Sequence, residues 1–93
     1  MQGLMMNRPL LISSIAEHAQ KFHPRSRIVS VTAEAGRHEY AYEDCFRRAK
    51  QVANALTDLG LQPGDRVATL AWNDYRHMEL YYGISGAGMI CHT

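Results

Sequence analysis

The chain has 93 residues, of which 46% are hydrophobic and 20% charged, and its formal net charge is +1. This composition argues against a disordered chain, and the near-neutral charge gives no electrostatic reason to expect nucleic acid or an anionic membrane as a partner. A domain of this length buries only somewhat over ~60% of the surface that its unfolded chain exposes, so we expect marginal stability.

Neither the N-terminal segment nor the cysteines indicate export or a membrane span. The apolar run from Leu10 to Ile12 is too short for a signal-peptide core or a membrane-crossing helix. Residues 1–10 are expected to form a flexible segment. Cys45 and Cys91 lie in apolar patterns without metal-ligand spacing, which predicts buried free thiols in a cytoplasmic protein.

Periodicity predicts a helix and then a hairpin in the first part of the chain. The helical pattern runs from Leu11 to about His23 and ends at Pro24. Two alternating segments joined by a three-residue turn at 34–36 predict a pair of antiparallel strands. The residues that carry the two patterns are Leu11, Ile15, Ala19 and Phe22 for the helix, and Val29, Val31, Ala33, His38, Tyr40 and Tyr42 for the strands.

The clearest helix is predicted from Glu43 to Leu59. Acidic residues Glu43 and Asp44 occupy its first turn, where their negative charges stabilise the positive end of the helix dipole. Gly60 follows at a position typical of a helix end. Its apolar stripe has spacings of three and four residues. The stripe consists of Cys45, Ala49, Val52, Ala53, Leu56 and Leu59.

The last part of the chain predicts a strand, a helix and a second strand. The first strand, Arg66 to Trp72, shows little polar alternation and is expected to be covered on both faces, as in a parallel sheet. Asn73 is the expected N-cap of a helix from Asp74 to about Ser85, buried on more than one side. With a strand at 89–91, this order predicts a right-handed crossover unit and an α/β fold.

Ordered segments of the chain resemble the ATP-dependent adenylate-forming acyl-CoA synthetases. The resemblance lies in the order of Tyr40-Ala41-Tyr42-Glu43-Asp44, the helix that follows, and Gly60 to Ala68. The stretch from Trp72 to Tyr81 and the closing segment from Gly88 to Thr93 are similar to the fatty-acid CoA ligase branch. Relatives often carry a threonine N-cap where this chain has Ala41, a difference that costs on the order of 1 kcal/mol.

The resemblance implies a parent enzyme that activates a carboxylate with ATP to an acyl-adenylate and transfers it to coenzyme A, with Mg²⁺ as a further cofactor. It implies that residues 1–93 are an incomplete N-terminal portion of the AMP-binding large domain. The family's phosphate loop, nucleotide-binding segments and mobile-domain lysine match nothing in this chain. We therefore assign no catalytic, cofactor-binding or metal-binding residue here.

Several local patterns that suggest chemistry are interpreted as structural. Gly86 and Gly88 follow a helix and precede a strand, the reverse of a dinucleotide loop. His77 and Glu79, two apart on a helix, do not face each other. The remaining candidates are the surface pair His18 and His23, the divergent strand neighbours Cys91 and His92, the solvated basic cluster Arg37, Arg47, Arg48 and Lys50, and tyrosines expected in core or interface contacts (Tyr40, Tyr42, Tyr75, Tyr81, Tyr82).

Two hypotheses of function remain. In the first, the chain is a scaffold portion of a fatty-acid CoA ligase, inactive by itself, acting on a fatty acid or related carboxylate through the parent enzyme. The helix from Leu11 to Phe22 is then expected to contribute to a homodimer interface, if the parent is dimeric. In the second, the chain is a stand-alone interaction module derived from such an enzyme, whose apolar last strand and helix are covered by self-association.

Overall fold

A computed structural model describes residues 3–93. The element order is α1 (Ile12–Phe22), β1 (Arg27–Thr32), β2 (Gly36–Ala41), α2 (Tyr42–Asp58), β3 (Arg66–Ala68), α3 (Tyr75–Gly86) and β4 (Ile90–His92). This order of helices and strands confirms the predicted α/β class. Residues 3–10 contain no helix or strand, and the predicted flexibility of 1–10 remains a prediction, with Met1 and Gln2 outside the described residues.

The hairpin forms as predicted, with its ends shifted by one or two residues. Strands β1 and β2 pair antiparallel, with Thr32 opposite Gly36. The Thr32 hydroxyl closes the turn because it accepts from the Ala35 N–H and donates to the Gly36 carbonyl, each at 3.1 Å. Ala33 therefore lies in the turn, and Tyr42 begins α2 instead of ending β2.

The core lies where α2 packs on α3, with the hairpin against the same pair of helices. The two helices approach closely at Gly83, where an added Cβ would meet the Ala49 carbonyl oxygen and Val52 Cγ1, both at 2.8 Å. No larger residue fits there without moving α2. The buried hydrophobic side chains are Ala41, Cys45, Phe46, Ala49, Ile84 and Met89.

Strands β3 and β4 are connected by α3 and pair with each other in parallel, which confirms the predicted strand-helix-strand unit. The prediction of a strand from Arg66 to Trp72 covered on both faces was wrong. The strand ends at Ala68, Leu70 is fully exposed and Trp72 is 74% exposed. Only one face is partly covered, because Val67 and its partner Cys91 are half-buried while their strand neighbours are exposed. Cys91 is therefore not the buried thiol that was predicted.

Helix α1 packs on α2 and α3 through the flank of its apolar stripe. Small and polar side chains such as Ser13, Ala16 and Gln20 face the other helices. Ile15 and Phe22, at the centre of the stripe, remain more than half exposed, at 55% and 59%. None of the helices within residues 3–93 is long and apolar enough to cross a membrane.

Candidate functional site

The most deeply buried polar site among the described residues is centred on the carboxylate of Glu79, which is 3% exposed. Its Oε2 accepts a hydrogen bond of 2.7 Å from the Tyr40 hydroxyl and another of 2.7 Å from Arg48 Nε. Tyr40 belongs to β2, Arg48 to α2 and Glu79 to α3. One buried carboxylate therefore joins the hairpin to both core helices.

Burial favours the protonated, neutral forms of the phenol and the thiol in this cluster. Removal from water raises the pKa of the Tyr40 hydroxyl, and the neighbouring Cys45 and Glu79 raise it further. Burial likewise raises the pKa of the Cys45 thiol, which is 0% exposed. The hydrogen bond to Glu79 raises the pKa of Arg48. Phenol and thiol stay protonated and the carboxylate is held by two donors, so the cluster offers neither a free base nor a nucleophile.

An aromatic stack extends the cluster toward α3. The His38 ring stacks on Tyr75 with centroids 3.7 Å apart, and both rings meet Tyr40 edge-on. The buried His38 Nδ1 has no hydrogen-bond partner among the described residues. These contacts agree with the predicted core and interface role of the tyrosines, since the stacked faces of Tyr75 and His38 cover each other instead of forming an open platform.

The N-terminus of α3 is capped by Asp74, which corrects the prediction of Asn73. Asp74 Oδ1 accepts from the Arg76 backbone N–H at 2.9 Å. The Arg76 side chain bridges Asp74 Oδ2 at 2.7 Å and Glu34 Oε1 at 2.6 Å, which ties the hairpin turn to the helix start. Hydrogen bonding to Arg76 lowers the pKa of Asp74, and the same pairing raises the pKa of Arg76.

His77 and Glu79 belong to separate contacts, as their spacing predicted. His77 Nε2 lies 2.9 Å from the Thr69 hydroxyl, and its ring packs against Tyr81 at 4.4 Å between centroids. This bond fastens α3 to the segment after β3. His77 therefore has the structural, hydrogen-bonding role that was predicted.

The other sequence candidates are not brought together into a site. His18 and His23 are exposed. Gly86 is the last residue of α3, and Gly88 lies just after the helix, where its carbonyl accepts from the Gly64 N–H at 2.9 Å. In the basic cluster, Arg37 and Arg47 form surface ion pairs with Glu39 and Asp44. The prediction of a wholly solvated basic face was wrong for Arg48, because its guanidinium reaches the buried Glu79.

Sequence reasoning missed the cluster of Tyr40, Arg48 and Glu79. One signal was present: an acidic residue within a helix that is apolar around much of its circumference is rarely buried without a partner. That signal identifies Glu79 as paired. It does not identify partners that lie 31 and 39 residues earlier in the chain.

The residues described here do not fit a nucleotide phosphate or Mg²⁺. Carboxylates already occupy the N-termini of α2 and α3, with Asp74 on α3 and Asp44 Oδ2 accepting from the Ala41 N–H at 3.3 Å on α2. The Tyr42 and Glu43 N–H groups donate to the Ser26 and Pro24 carbonyls. Across residues 3–93, no three His, Cys, Asp or Glu side chains form a group that could hold a metal ion.

Comparison with known proteins gives close relatives among CoA ligases. The 3-methylmercaptopropionyl-CoA ligases of Ruegeria pomeroyi and Ruegeria lacuscaerulensis are 50% and 48% identical over all 93 residues. The medium-chain-fatty-acid–CoA ligase of Ectopseudomonas oleovorans is 45% identical over the same 93 residues. The chain spans 17% of the length of each of these relatives.

A solved structure shares the fold. The fatty acyl-adenylate ligase from L. pneumophila, crystallised with acyl adenylate and pyrophosphate, superposes with a TM-score of 0.74 at 24% sequence identity. The match covers 84% of this chain and 14% of that one. A family model described as AMP-binding enzyme matches residues 15–93. The chain belongs to the AMP-binding enzyme family.

Proposed function

We propose that this chain is a scaffold portion of the large domain of a carboxylate–CoA ligase. In the parent reaction, the carboxylate attacks the α-phosphate of ATP to give an acyl-adenylate and pyrophosphate, and the coenzyme A thiol then displaces AMP. The observation that carries the proposal is the 45–50% identity to CoA ligases along the whole chain. The chain spans 17% of each of these relatives, which supports an incomplete part of that domain, and its N-terminal position is part of the proposal.

The saturated polar contacts support a scaffold role for these residues. Glu79, Asp74 and Arg76 use their charges to hold the hairpin against α2 and α3, so all three groups are engaged in structural contacts. We therefore assign no catalytic, cofactor-binding or metal-binding role within the chain. ATP, coenzyme A and Mg²⁺ are proposed to bind parts of the parent enzyme outside it.

The proposed substrate is a fatty acid or a related carboxylate. The relatives' names range from a thioether-containing short acid to medium-chain and long-chain fatty acids, the last in a Thermus thermophilus ligase that is 35% identical. An acid panel of 3-methylmercaptopropionate, octanoate and palmitate, assayed for acid-dependent exchange of pyrophosphate into ATP, distinguishes these classes.

The exchange assay also tests the scaffold role. A longer polypeptide from the same reading frame is expected to catalyse exchange, and the 93-residue chain is expected to show none. Exchange by the 93-residue chain would overturn the scaffold role. In the longer polypeptide, Glu79→Gln is expected to lower Tm and leave the KM for ATP within about twofold, since a scaffold residue acts on stability and not on nucleotide binding.

We also propose that the parent enzyme is a homodimer and lies in the cytoplasm. The exposed stripe around Ile15 and Phe22 on α1 is the proposed contribution to the subunit interface. Deleting residues through Phe22 from the longer polypeptide should shift its mass in light scattering from that of a dimer to that of a monomer; a retained dimer contradicts this role. The free thiols Cys45 and Cys91 agree with a reducing compartment, and fluorescence microscopy of a tagged protein tests the location.

A further inference from the structure

Helix α1 is anchored to the rest of the chain at one end only. On its N-terminal side, residues 3–10 are exposed, contain no helix or strand and form no backbone hydrogen bond with a later element. On its C-terminal side the helix ends at Phe22, and the chain is fixed two residues later, where the Pro24 carbonyl accepts from the Glu43 N–H at 3.1 Å. His23 is therefore the residue between the helix and the anchored segment.

No polar contact fastens α1 to the other elements of residues 3–93. Its hydrogen bonds, ring contacts and cation contact stay within the helix and its ends. The Phe22 ring, for example, lies 4.8 Å from the His18 ring between centroids and 5.3 Å from the Lys21 ammonium. Neither Glu17 nor Lys21 forms an ion pair in this part of the chain.

The hairpin and the parallel strand pair, by contrast, each have a polar link to a core helix. The Tyr40 hydroxyl of β2 donates to Glu79 of α3 at 2.7 Å, and the Thr69 hydroxyl after β3 lies 2.9 Å from His77 Nε2 of α3. Helix α1 is held by packing alone, and it contains no buried residue.

The packing of α1 is also incomplete. A cleft of about 190 Å³ remains between α1 and the core helices, where Ala16 faces small residues such as Ala53 and Gly83. Atoms that face such a space lack part of their dispersion contacts. A helix of 11 residues is marginal in water by itself, so α1 depends on this contact for its helical structure.

We propose that α1 is a strap that opens as a separate unit, pivoting at His23 while the hairpin, α2 and α3 stay folded. In the open state α1 loses its helical structure, and the side of α2 and α3 that carries Phe46 and Tyr82 loses its cover. Opening breaks no polar link to the core and exposes only half-buried side chains of α1, so it requires less free energy than global unfolding.

Native-state hydrogen exchange of the ¹⁵N-labelled 93-residue chain tests the strap, at increasing urea below the unfolding transition. After correction for intrinsic rates, the amides from Ala16 to Phe22 should exchange at least about tenfold faster than those at the centres of α2 and α3. Their rates should share one opening free energy and depend little on urea, because opening exposes little surface.

Two results would overturn the proposal. The first is a common rate and a common urea dependence in α1 and α2, which means that α1 opens only when the whole chain unfolds. The second is a graded rise in protection from Ala16 toward Phe22, which means that α1 frays from its free end instead of opening as a unit.

A matched pair of glycine substitutions separates local from global opening. Ala19 and Ala55 hold the same place in α1 and α2, because the carbonyl of each accepts from the N–H of the residue that caps the helix end. Ala19→Gly should speed exchange in α1 about fivefold. Ala55→Gly should speed exchange in α2 and α3 by about the same factor and leave α1 unchanged, because α1 opens without α2.

Equal acceleration of α1 by the two substitutions contradicts a separate unit, and so does an unchanged rate in α1 after Ala19→Gly. The readout is amide exchange in the 93-residue chain and requires neither catalysis nor a second subunit. Its failure therefore leaves the proposed ligase function standing, and a failed pyrophosphate exchange assay leaves the strap standing.

Discussion

The centre and the periphery of this small structure use apolar residues in opposite ways. Where β2, α2 and α3 meet, a buried carboxylate has two donors and Cys45 and Ile84 are fully enclosed. On α1 and after β3, Ile15, Phe22 and Leu70 face outward. The contrast shows that a short chain can satisfy one core completely while its flanking elements keep apolar surface for contacts still to be made.

The largest expected difference between the two regions is in the alkylation rates of their cysteine thiols. In the native protein, alkylation of Cys45 should be about a thousandfold slower than that of Cys91, because enclosed Cys45 reacts only through unfolding. Pulsed iodoacetamide labelling with peptide mass analysis measures both rates. Similar rates at the two cysteines would contradict a closed centre.

The raised pKa of Cys45 makes the stability of the fold depend on pH in the alkaline range. Since folding favours the protonated thiol, the associated stability is fully present below the pKa of the unfolded thiol and is lost as pH rises toward the higher folded pKa. Cys45→Ala should remove this alkaline loss from urea-unfolding curves, whereas Cys91→Ala should retain it. An unchanged alkaline slope in Cys45→Ala contradicts the assignment.

Removing the buried Glu79 carboxylate is expected to have the next largest effect, on the free energy of unfolding. Glu79→Ala should reduce the free energy of unfolding by about 3 kcal/mol, since it leaves the Tyr40 hydroxyl without its acceptor and removes a charge-assisted bond. Arg48 is half exposed and can recover water, which limits the loss. The measurement is urea unfolding.

Glu39→Ala is the matched control for that substitution. Glu39 also pairs with two arginines, Arg27 and Arg37, but on the surface, so its loss should cost under ~1 kcal/mol. Equal losses for the two glutamates would show that burial does not set the strength of the central contact.

The close approach of α2 and α3 is tested at two glycines of the same helix. Gly83→Ala should cost about 2 kcal/mol, because the new methyl group meets the Ala49 carbonyl and Val52. At Gly86 nothing lies within 4 Å of an added Cβ, so Gly86→Ala should stabilise the helix by about 0.5 kcal/mol. In thermal unfolding, the two substitutions should shift Tm in opposite directions. Shifts in the same direction would refute the close contact of α2 and α3 at Gly83.

A gain in stability smaller than the Gly83→Ala loss is expected at the start of α2. Ala41 is the N-cap but has no side-chain acceptor, so only the Asp44 half of a reciprocal cap forms. Ala41→Ser should add about 1 kcal/mol by accepting from the Asp44 N–H. Ala35→Ser, in the exposed turn, is the control and should change stability by less than ~0.5 kcal/mol. No difference between the two serines would argue against the missing cap.

Local patterns predicted the helices and the hairpin well and strand β3 poorly. α1 and α2 follow from repeated spacings of three and four residues, and the Gly60 and Pro24 breaks follow from backbone sterics. For Arg66 to Trp72, the apolar run indicated burial, but only its first three residues are paired as a strand. An apolar run records that a segment is suited to being covered; it carries no information on which element covers it.

The candidate site was less predictable than the fold. The order of motifs identified the family, and spacing alone separated His77 from Glu79. The partners of Glu79 could not be inferred, because Tyr40 and Arg48 approach it only after the hairpin folds onto both helices. Asp74 in place of Asn73 is a smaller example: both residues suit an N-cap, and the pairing of Arg76 with Glu34 favours Asp74.

The amino-acid sequence by itself determined the element order, the parallel crossover unit and the family, since these depend on periodicity, turn residues and the order of motifs along the chain. Only the tertiary structure decided that Glu79 joins three elements, that Gly83 sets the helix spacing, and that α1 leaves a cleft above α2 and α3. The physical reason is distance along the chain: local propensity acts over a few residues, whereas buried pairing and packing depend on which distant side chains the completed fold brings into contact.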